Sequence, residues 1–249
     1  MRSLVVLAST VVLGCGASST LPDASTPFDA GADASDAGPL DAGTDAGSNV
    51  DAGADAGDPV AKLLALTSSC TQVSNGLYSL NAGDTPTVPI CSLTNAFFWK
   101  ADMDIDCDGK QTTQCNIQTD PDYQNQTAAT DSKGNPLDAA NLPYVVVPGK
   151  STRFDPAANG LKLGDVILVL YKGQIEYAVY GDVGPSADIG EASYATAQAL
   201  GINPDPSKGG VDPPDVLYVA FPGALVSPIE DHAKAVSVGQ AALAKLLGP

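Results

Sequence analysis

The stretch Val166-Ile167-Leu168-Val169-Leu170-Tyr171-Lys172-Gly173-Gln174-Ile175-Glu176-Tyr177-Ala178-Val179-Tyr180 sets the fold class. Runs of β-branched and aromatic residues on both sides of Lys172-Gly173 predict two strands joined by a tight hairpin turn. Further strands are expected on either side of it. Phe97 to Cys107 alternates, Tyr144 to Val147 is a short β-branched run stopped by Pro148-Gly149, and Val216 to Phe221 is another run of the same kind. Helical patterns are fewer. One is predicted from Ile189 to Leu200, opening after Asp188 and closing at Gly201, and a second from Ser227-Pro228 onward, with Glu230 completing a capping box. The expected architecture is mainly β, a β-barrel-like core with a few peripheral α-helices, and a double-psi barrel is one form it can take.

The organisation of the chain places this domain last. Residues 1–15 have a positive start at Arg2, an apolar run from Leu4 to Leu13, and then Cys15. That run is too short to span a bilayer and fits an export signal, and Val12-Leu13-Gly14-Cys15 resembles a bacterial lipobox, which makes Cys15 the lipidation site. A lipid anchor at the outer membrane or cell surface is expected, with a cleaved soluble signal as the alternative. Residues 16–60 follow as a linker in which Asp-Ala-Gly recurs at Asp29, Asp36, Asp41, Asp45, Asp51 and Asp55. Such a composition buries too little apolar surface to offset chain entropy, so a disordered, extended spacer is expected. Residues 61–249 are long enough for one domain with its own core.

Charge and cysteines narrow the function. The net charge is -17, and the folded part keeps twenty acids against eleven bases once the linker is set aside. A chain without a basic patch is a poor nucleic-acid binder, because phosphate neutralisation supplies most of such affinity, and a cationic partner suits it better. Beyond Cys15 the cysteines are Cys70, Cys91, Cys107 and Cys115, an even number in an exported chain. Two disulfides are expected, Cys107 with Cys115 across a short loop and Cys70 with Cys91; the paired short spacings of a zinc site are missing. No metal and no cofactor is expected.

Two constellations carry chemistry. In Phe97-Phe98-Trp99-Lys100-Ala101-Asp102-Met103-Asp104-Ile105-Asp106-Cys107-Asp108-Gly109, a strand period puts Lys100, Asp102, Asp104, Asp106 and Asp108 on one face. Asp104, Asp106, Asp108 and Gly109 copy the opening of a calcium loop, but the last ligand would fall on Cys115 instead of a glutamate. A solvated edge strand guarded by charge is one alternative. A row of subsites for a polyamine or an amino-sugar polymer is the other.

The second constellation is Tyr180-Gly181-Asp182-Val183-Gly184-Pro185, followed by Ile189-Gly190-Glu191-Ala192-Ser193. A strand ending at Gly181 sets Asp182 at a strand terminus, and Glu191 is expected in the first turn of the next helix. Two carboxylates brought together by such a turn suit glycoside hydrolysis, in which one protonates the leaving oxygen and the other activates water or attacks carbon. Asp182 as a plain turn residue and Glu191 as a cap partner of Asp188 are the structural alternatives.

Phe98 to Gly109, Asp182-Val183-Gly184-Pro185 with Gly190-Glu191-Ala192-Ser193, and Gly209-Gly210-Val211-Asp212 together resemble glycoside hydrolase family 75, the fungal-type endo-chitosanases. Leu137-Asp138-Ala139-Ala140 and Leu142-Pro143-Tyr144-Val145-Val146 are similar too, so the resemblance runs from about Ala96 to Phe221 in chain order. It implies an endo-acting, inverting chitosanase whose essential carboxylates are Asp182 and Glu191, with chitosan as the partner. By the same resemblance Glu191 is the acid and Asp182 the base, although a helix N-terminus would oppose the raised pKa that an acid needs. The spacer and lipobox depart from the secreted fungal pattern.

Trp99, Tyr177 and Tyr194 are candidates for stacking on sugar rings, with Asp102, Asp104 and Asp106 as partners for ammonium groups; buried aromatics are the competing assignment. His232 is expected to be structural. A non-catalytic amino-polysaccharide-binding lipoprotein and a peptidoglycan-active enzyme are the two other classes that suit the compartment.

Overall fold

A computed structural model describes residues 57–248. Cys15, the export signal and the linker as far as residue 56 lie outside the described residues. In chain order the elements are α1 (Pro59–Leu66), β1 (Cys91–Leu93), β2 (Ala96–Asp106), β3 (Tyr144–Pro148), β4 (Asp165–Tyr171), β5 (Gln174–Gly184), β6 (Glu191–Ser193), α2 (Tyr194–Ala199), β7 (Val211–Leu225) and α3 (His232–Leu247). The sheet runs β1-β2-β6-β3-β5-β4-β7, and a further pairing of β2 with β7 closes a six-stranded barrel, with β1 as an extra edge strand. Two pairings in the ring are parallel, β2 with β6 and β3 with β5. The expected mainly β barrel with a few helices is the observed fold.

The hairpin forms as expected, pairing Val166 with Val179 through Tyr171 with Gln174. Lys172 (φ 46°) and Gly173 (φ 84°) both take the left-handed conformation that matches the twist of a two-residue hairpin. Strand alternation divides the apolar residues into two cores. Trp99, Ala101, Met103, Val145, Ile167 and Tyr218 belong to one, Phe98, Val146, Leu168, Val219, Leu63 and Leu243 to the other. The second core takes in helices α1 and α3, and exposed Lys100 stands on its side of β2, so it covers the outside of the barrel while the first fills the inside.

Both disulfides join the expected partners, Cys70 to Cys91 and Cys107 to Cys115. Helix boundaries differ from expectation in two places. Glu191–Ser193 pairs as a strand before α2 begins, with Ser193 as the N-cap of α2, accepting from the Thr196 amide. The C-terminal helix starts at His232 and is capped by Asp231, whose carboxylate accepts from Lys234 N at 2.9 Å; Glu230 bonds Ser132 instead of closing a capping box. Helix α1 has no counterpart in the sequence pattern, because eight residues give too few turns for a readable period.

Candidate active site

Four neighbouring strands build one acidic face on the outside of the barrel. The alternation expected in β2 holds: Lys100, Asp102, Asp104 and Asp106 share its outer side. Their burial does not alternate with them. Asp104 is exposed, Asp102 is 1% exposed and Asp106 5% exposed. Asp102 is covered by Gly190, where any side chain would run into its carboxylate, so it meets no substrate. Burial first, and then the charge of Asp104, pushes Asp102 up to about 7.

Glu191 stands on β6 between two partners, opposite Asp104 of β2 and opposite Val146 of β3. This corrects the expected helical position, and it removes the helix dipole that would have held the carboxyl low. Burial, then the charges of Asp104, Asp108 and Asp182, push Glu191 up to about 8. Asp106, one alternation along from Asp104, is driven well above the usual carboxylate range by burial and then by Glu191. Its Oδ1 accepts from Asp108 N at 2.6 Å. Asp108 rises to about 6, mainly through burial.

Asp182 reaches this face because of a bulge. The expected strand end at Gly181 is not observed; β5 continues to Gly184. Val145 pairs with Tyr180 but Val146 with Asp182, so Gly181 is an extra residue in the ladder. With a strict period of two, Asp182 would follow Tyr180 toward the barrel interior; the inserted residue turns it to the side of Val146. Gly181 is required there, since a Cβ would lie 2.6 Å from that of Tyr144. Asp182 Oδ1 then accepts from Ala128 N and Val183 N, both at 2.7 Å. These bonds lower its pKa, yet burial outweighs them and leaves it raised.

Asp182 and Glu191 thus flank Val146 on two strands separated by β3, with backbones about 9.6 Å apart at two strand spacings. A cavity of about 290 Å³ opens over this ground, lined by Asp104, Asp122, Val146, Gly184, Asp188 and Glu191. Gly184 packs tightly on this ground, because a Cβ there would lie 2.9 Å from Val146 Cγ1. Asp182 sits at its edge, 8% exposed, and is not part of the lining.

The aromatic candidates separate. Trp99 is 2% exposed and stacked on Tyr218 with ring centroids 5.4 Å apart, inside the barrel. Tyr177 is held beneath α3, where Gly239 lets the helix approach its ring. Neither reaches a sugar. Tyr194 lines a second cavity at the start of α2. His232 pairs with Glu176 at 2.6 Å, tying α3 to β5 away from the acidic face. The sequence pattern does not point to Asp122 and Asp188 of the cavity: the first lies in a polar loop without a period, and the second reads as the cap of the helix expected after it. Among the described residues no group of three or more His, Cys, Asp or Glu is disposed to hold a metal ion.

Carboxyls that stay protonated near neutrality, beside carboxylates held by backbone amides on an open barrel face, equip a protein for acid–base hydrolysis of a polymer. Residues 103–245 match the family model described as fungal chitosanase of glycosyl hydrolase group 75, and the chain belongs to that family of glycoside hydrolases. It is 32% identical over 168 residues to an endo-chitosanase of Aspergillus fumigatus, covering 65% of this chain and 69% of that one. An endo-chitosanase of Aspergillus oryzae is 34% identical over 138 residues, 51% of this chain and 56% of its own. Endo-chitosanase B of the same species is 34% identical over 133 residues, again 51% of this chain and 55% of its own.

Proposed function

We propose that the protein hydrolyses internal β-1,4 bonds of chitosan, with Glu191 as general acid and Asp182 as general base of an inverting reaction. The observation that carries the acid role is the position of Glu191 between Asp104 and Val146, where burial and neighbouring charge raise it to about 8. An acid must hold its proton at the working pH, and a carboxyl raised to about 8 meets that need near neutrality. Asp182, fixed through Oδ1 by two amides, keeps its other oxygen for a water. The two carboxyl groups rise from strands separated by β3, which suits the wider spacing of inversion, about 6.5–9.5 Å between carboxyl groups, better than the about 5–5.5 Å of a covalent mechanism. The acidic cavity suits a polymer of ammonium-bearing sugars, and the endo-chitosanases of two Aspergillus species are the relatives that support this substrate.

A second assignment of the base has its own observation: Asp104 lines the cavity and faces Glu191 directly, whereas Asp182 stands at its edge. The two are separated by the variants argued in the Discussion. We place the reaction outside the cell, where the two disulfides persist, with the Cys15 lipid anchor as the proposed attachment and residues 16–60 as its spacer. The test is reducing-end release from chitosan, chitin and peptidoglycan by the full chain, with the anomer of the first product followed by proton NMR. Rapid release from chitosan as the inverted anomer is expected. Binding of chitosan with no release would leave a non-catalytic lipoprotein, and a preference for peptidoglycan would leave a cell-wall enzyme.

A further inference from the structure

A second cavity, larger than the acidic one at about 480 Å³, has different chemistry. Its walls come from two loops and the first residue of α2: Gln114 and Gln118 from one loop, Asn203 and Ser207 from the other, and Tyr194. Four carboxylates line the acidic cavity, Asp104, Asp122, Asp188 and Glu191. Here three side-chain amides and a phenol ring dominate, and the one carboxylate, Asp205, is accompanied by one cation, Lys208.

The site is set before any ligand arrives. The Cys107–Cys115 disulfide ties the first loop to the end of β2, and Asn116 braces it by donating to Thr112 C=O at 2.9 Å and accepting from Gln118 N at 2.9 Å. In the second loop Asp205 Oδ1 accepts from Ser207 N at 2.9 Å, and Asn203 C=O accepts from Gly210 N at 2.9 Å. Ser207 Oγ then donates to Thr119 C=O at 2.8 Å and joins the two loops. Gln114 and Gln118 remain exposed at the rim. Preorganised walls of this kind spare a ligand the ordering cost of binding.

Two short segments of chain connect the cavities. In the segment 119–122, Thr119 belongs to the amide-lined side and Asp122 to the acidic side, and Tyr194 follows Glu191 by the length of β6 alone. A polymer crossing Glu191 toward α2 meets the amide-lined cavity next. Carboxylates select an ammonium group, whereas side-chain amides pair both the N–H and the C=O of another amide, and a ring face with prolines receives its methyl group.

We propose that this second cavity is a subsite for an N-acetylated sugar residue, so that the enzyme takes a free amine at the acidic cavity and an acetamido group beside it. The proposal rests on the amino-polysaccharide reading above, and two readouts keep their failures apart. In the first, N,N′-diacetylchitobiose is titrated into the isotope-labelled full chain. Side-chain amide signals of Gln114 and Gln118 and ring signals of Tyr194 are expected to shift, and shifts confined to residues around Glu191, or none, would overturn the subsite whatever the activity. In the second, the Gln114→Ala/Gln118→Ala double variant is assayed on partly acetylated and fully deacetylated chitosan. Loss of these hydrogen bonds is expected to lower kcat/KM about tenfold on the acetylated polymer and less than about twofold on the other. Equal effects on both polymers would overturn the proposal. Gln118→Glu keeps the shape and adds charge, so it should move the preference toward the deacetylated polymer. If the wild type cleaves neither polymer while diacetylchitobiose still shifts Gln118, the activity reading fails and the site stands.

Discussion

Asp104 and Glu191 are partners in the parallel pairing of β2 with β6, so two carboxyl groups rise from the same barrel face one strand spacing apart. Like charges directly opposite one another destabilise a sheet, and this favours the neutral form of Glu191. Burial is the larger cause and Asp104 the next, together raising Glu191 to about 8.

From that relationship comes a pH dependence. If Glu191 must deliver a proton, kcat on glucosamine oligomers should fall on an alkaline limb near pH 8. Asp104→Asn removes the nearest negative charge, favours the ionised form of Glu191, and so should move the limb to lower pH while costing less than about tenfold at the optimum. A limb that stays in place would remove Asp104 as the tuning charge, and a limb unrelated to Glu191 would remove the acid assignment.

The same buried carboxyls set how the fold responds to pH. Glu191 at about 8, Asp102 at about 7 and Asp108 at about 6 all lie above their unfolded values. A raised group contributes stability that is complete below its unfolded pKa of about 4 and is lost as pH climbs through the folded value. Tm should therefore decline steadily between pH 4.5 and about 8. Asp102→Asn deletes one of these titrations. Relative to the wild type the variant should gain stability as pH rises through about 7, with KM unchanged because Asp102 is 1% exposed. A raised KM at constant Tm would return Asp102 to the substrate.

Much of this was readable in the sequence, and the misses have physical causes. The hairpin at Lys172-Gly173 and the alternation of β2 were legible because a period of two and a left-handed turn are local properties. Whether a residue on the acidic stripe meets solvent was not, since that depends on Gly190 lying over Asp102 from a distant part of the chain. Glu191 was expected on a helix because Ile189 to Leu200 carries helical composition; pairing with Asp104 and Val146 overrides that preference. Trp99 and Tyr177 illustrate the remaining difficulty, since an aromatic stacked in a barrel and one stacked on a sugar look alike in sequence.

The burial of Tyr177 under α3 can be checked at Gly239. A Cβ there would lie 2.9 Å from Tyr177 Cγ and closer still to its ring edge. Gly239→Ala should destabilise by about 1–3 kcal/mol through overpacking, although alanine is the better helix former by about 1 kcal/mol. A fall of several degrees in Tm with normal activity per folded molecule is expected. A stabilised variant would show that α3 does not press on Tyr177.

The final prediction concerns the pair itself. Glu191→Gln keeps the shape of the side chain and removes its exchangeable proton, so kcat should drop about a hundredfold or more. Asp182→Asn should do the same by a different route: the Asn Oδ1 can still accept from Ala128 N and Val183 N, so the loop at 128 stays in place while the charge that activates water is gone. Neither variant should lose stability. Asp182→Asn removes a charge that acts on Asp106 and Glu191, and Glu191→Gln puts a neutral amide where burial already favours the neutral carboxyl, so Tm at pH 7 should hold or rise. Asp104→Asn is the decisive comparison, because Asp104 opposes Glu191 and lines the cavity that Asp182 only borders. If Asp182→Asn keeps nearly full activity and Asp104→Asn falls a hundredfold, the base is Asp104. Stereochemistry supplies the independent check: if the strand between Asp182 and Glu191 keeps their carboxyls far enough apart for a water, the first product should carry the inverted anomer. A retained anomer would require a carboxylate closer to the sugar than Asp182 stands, and the two-residue assignment would fall with it.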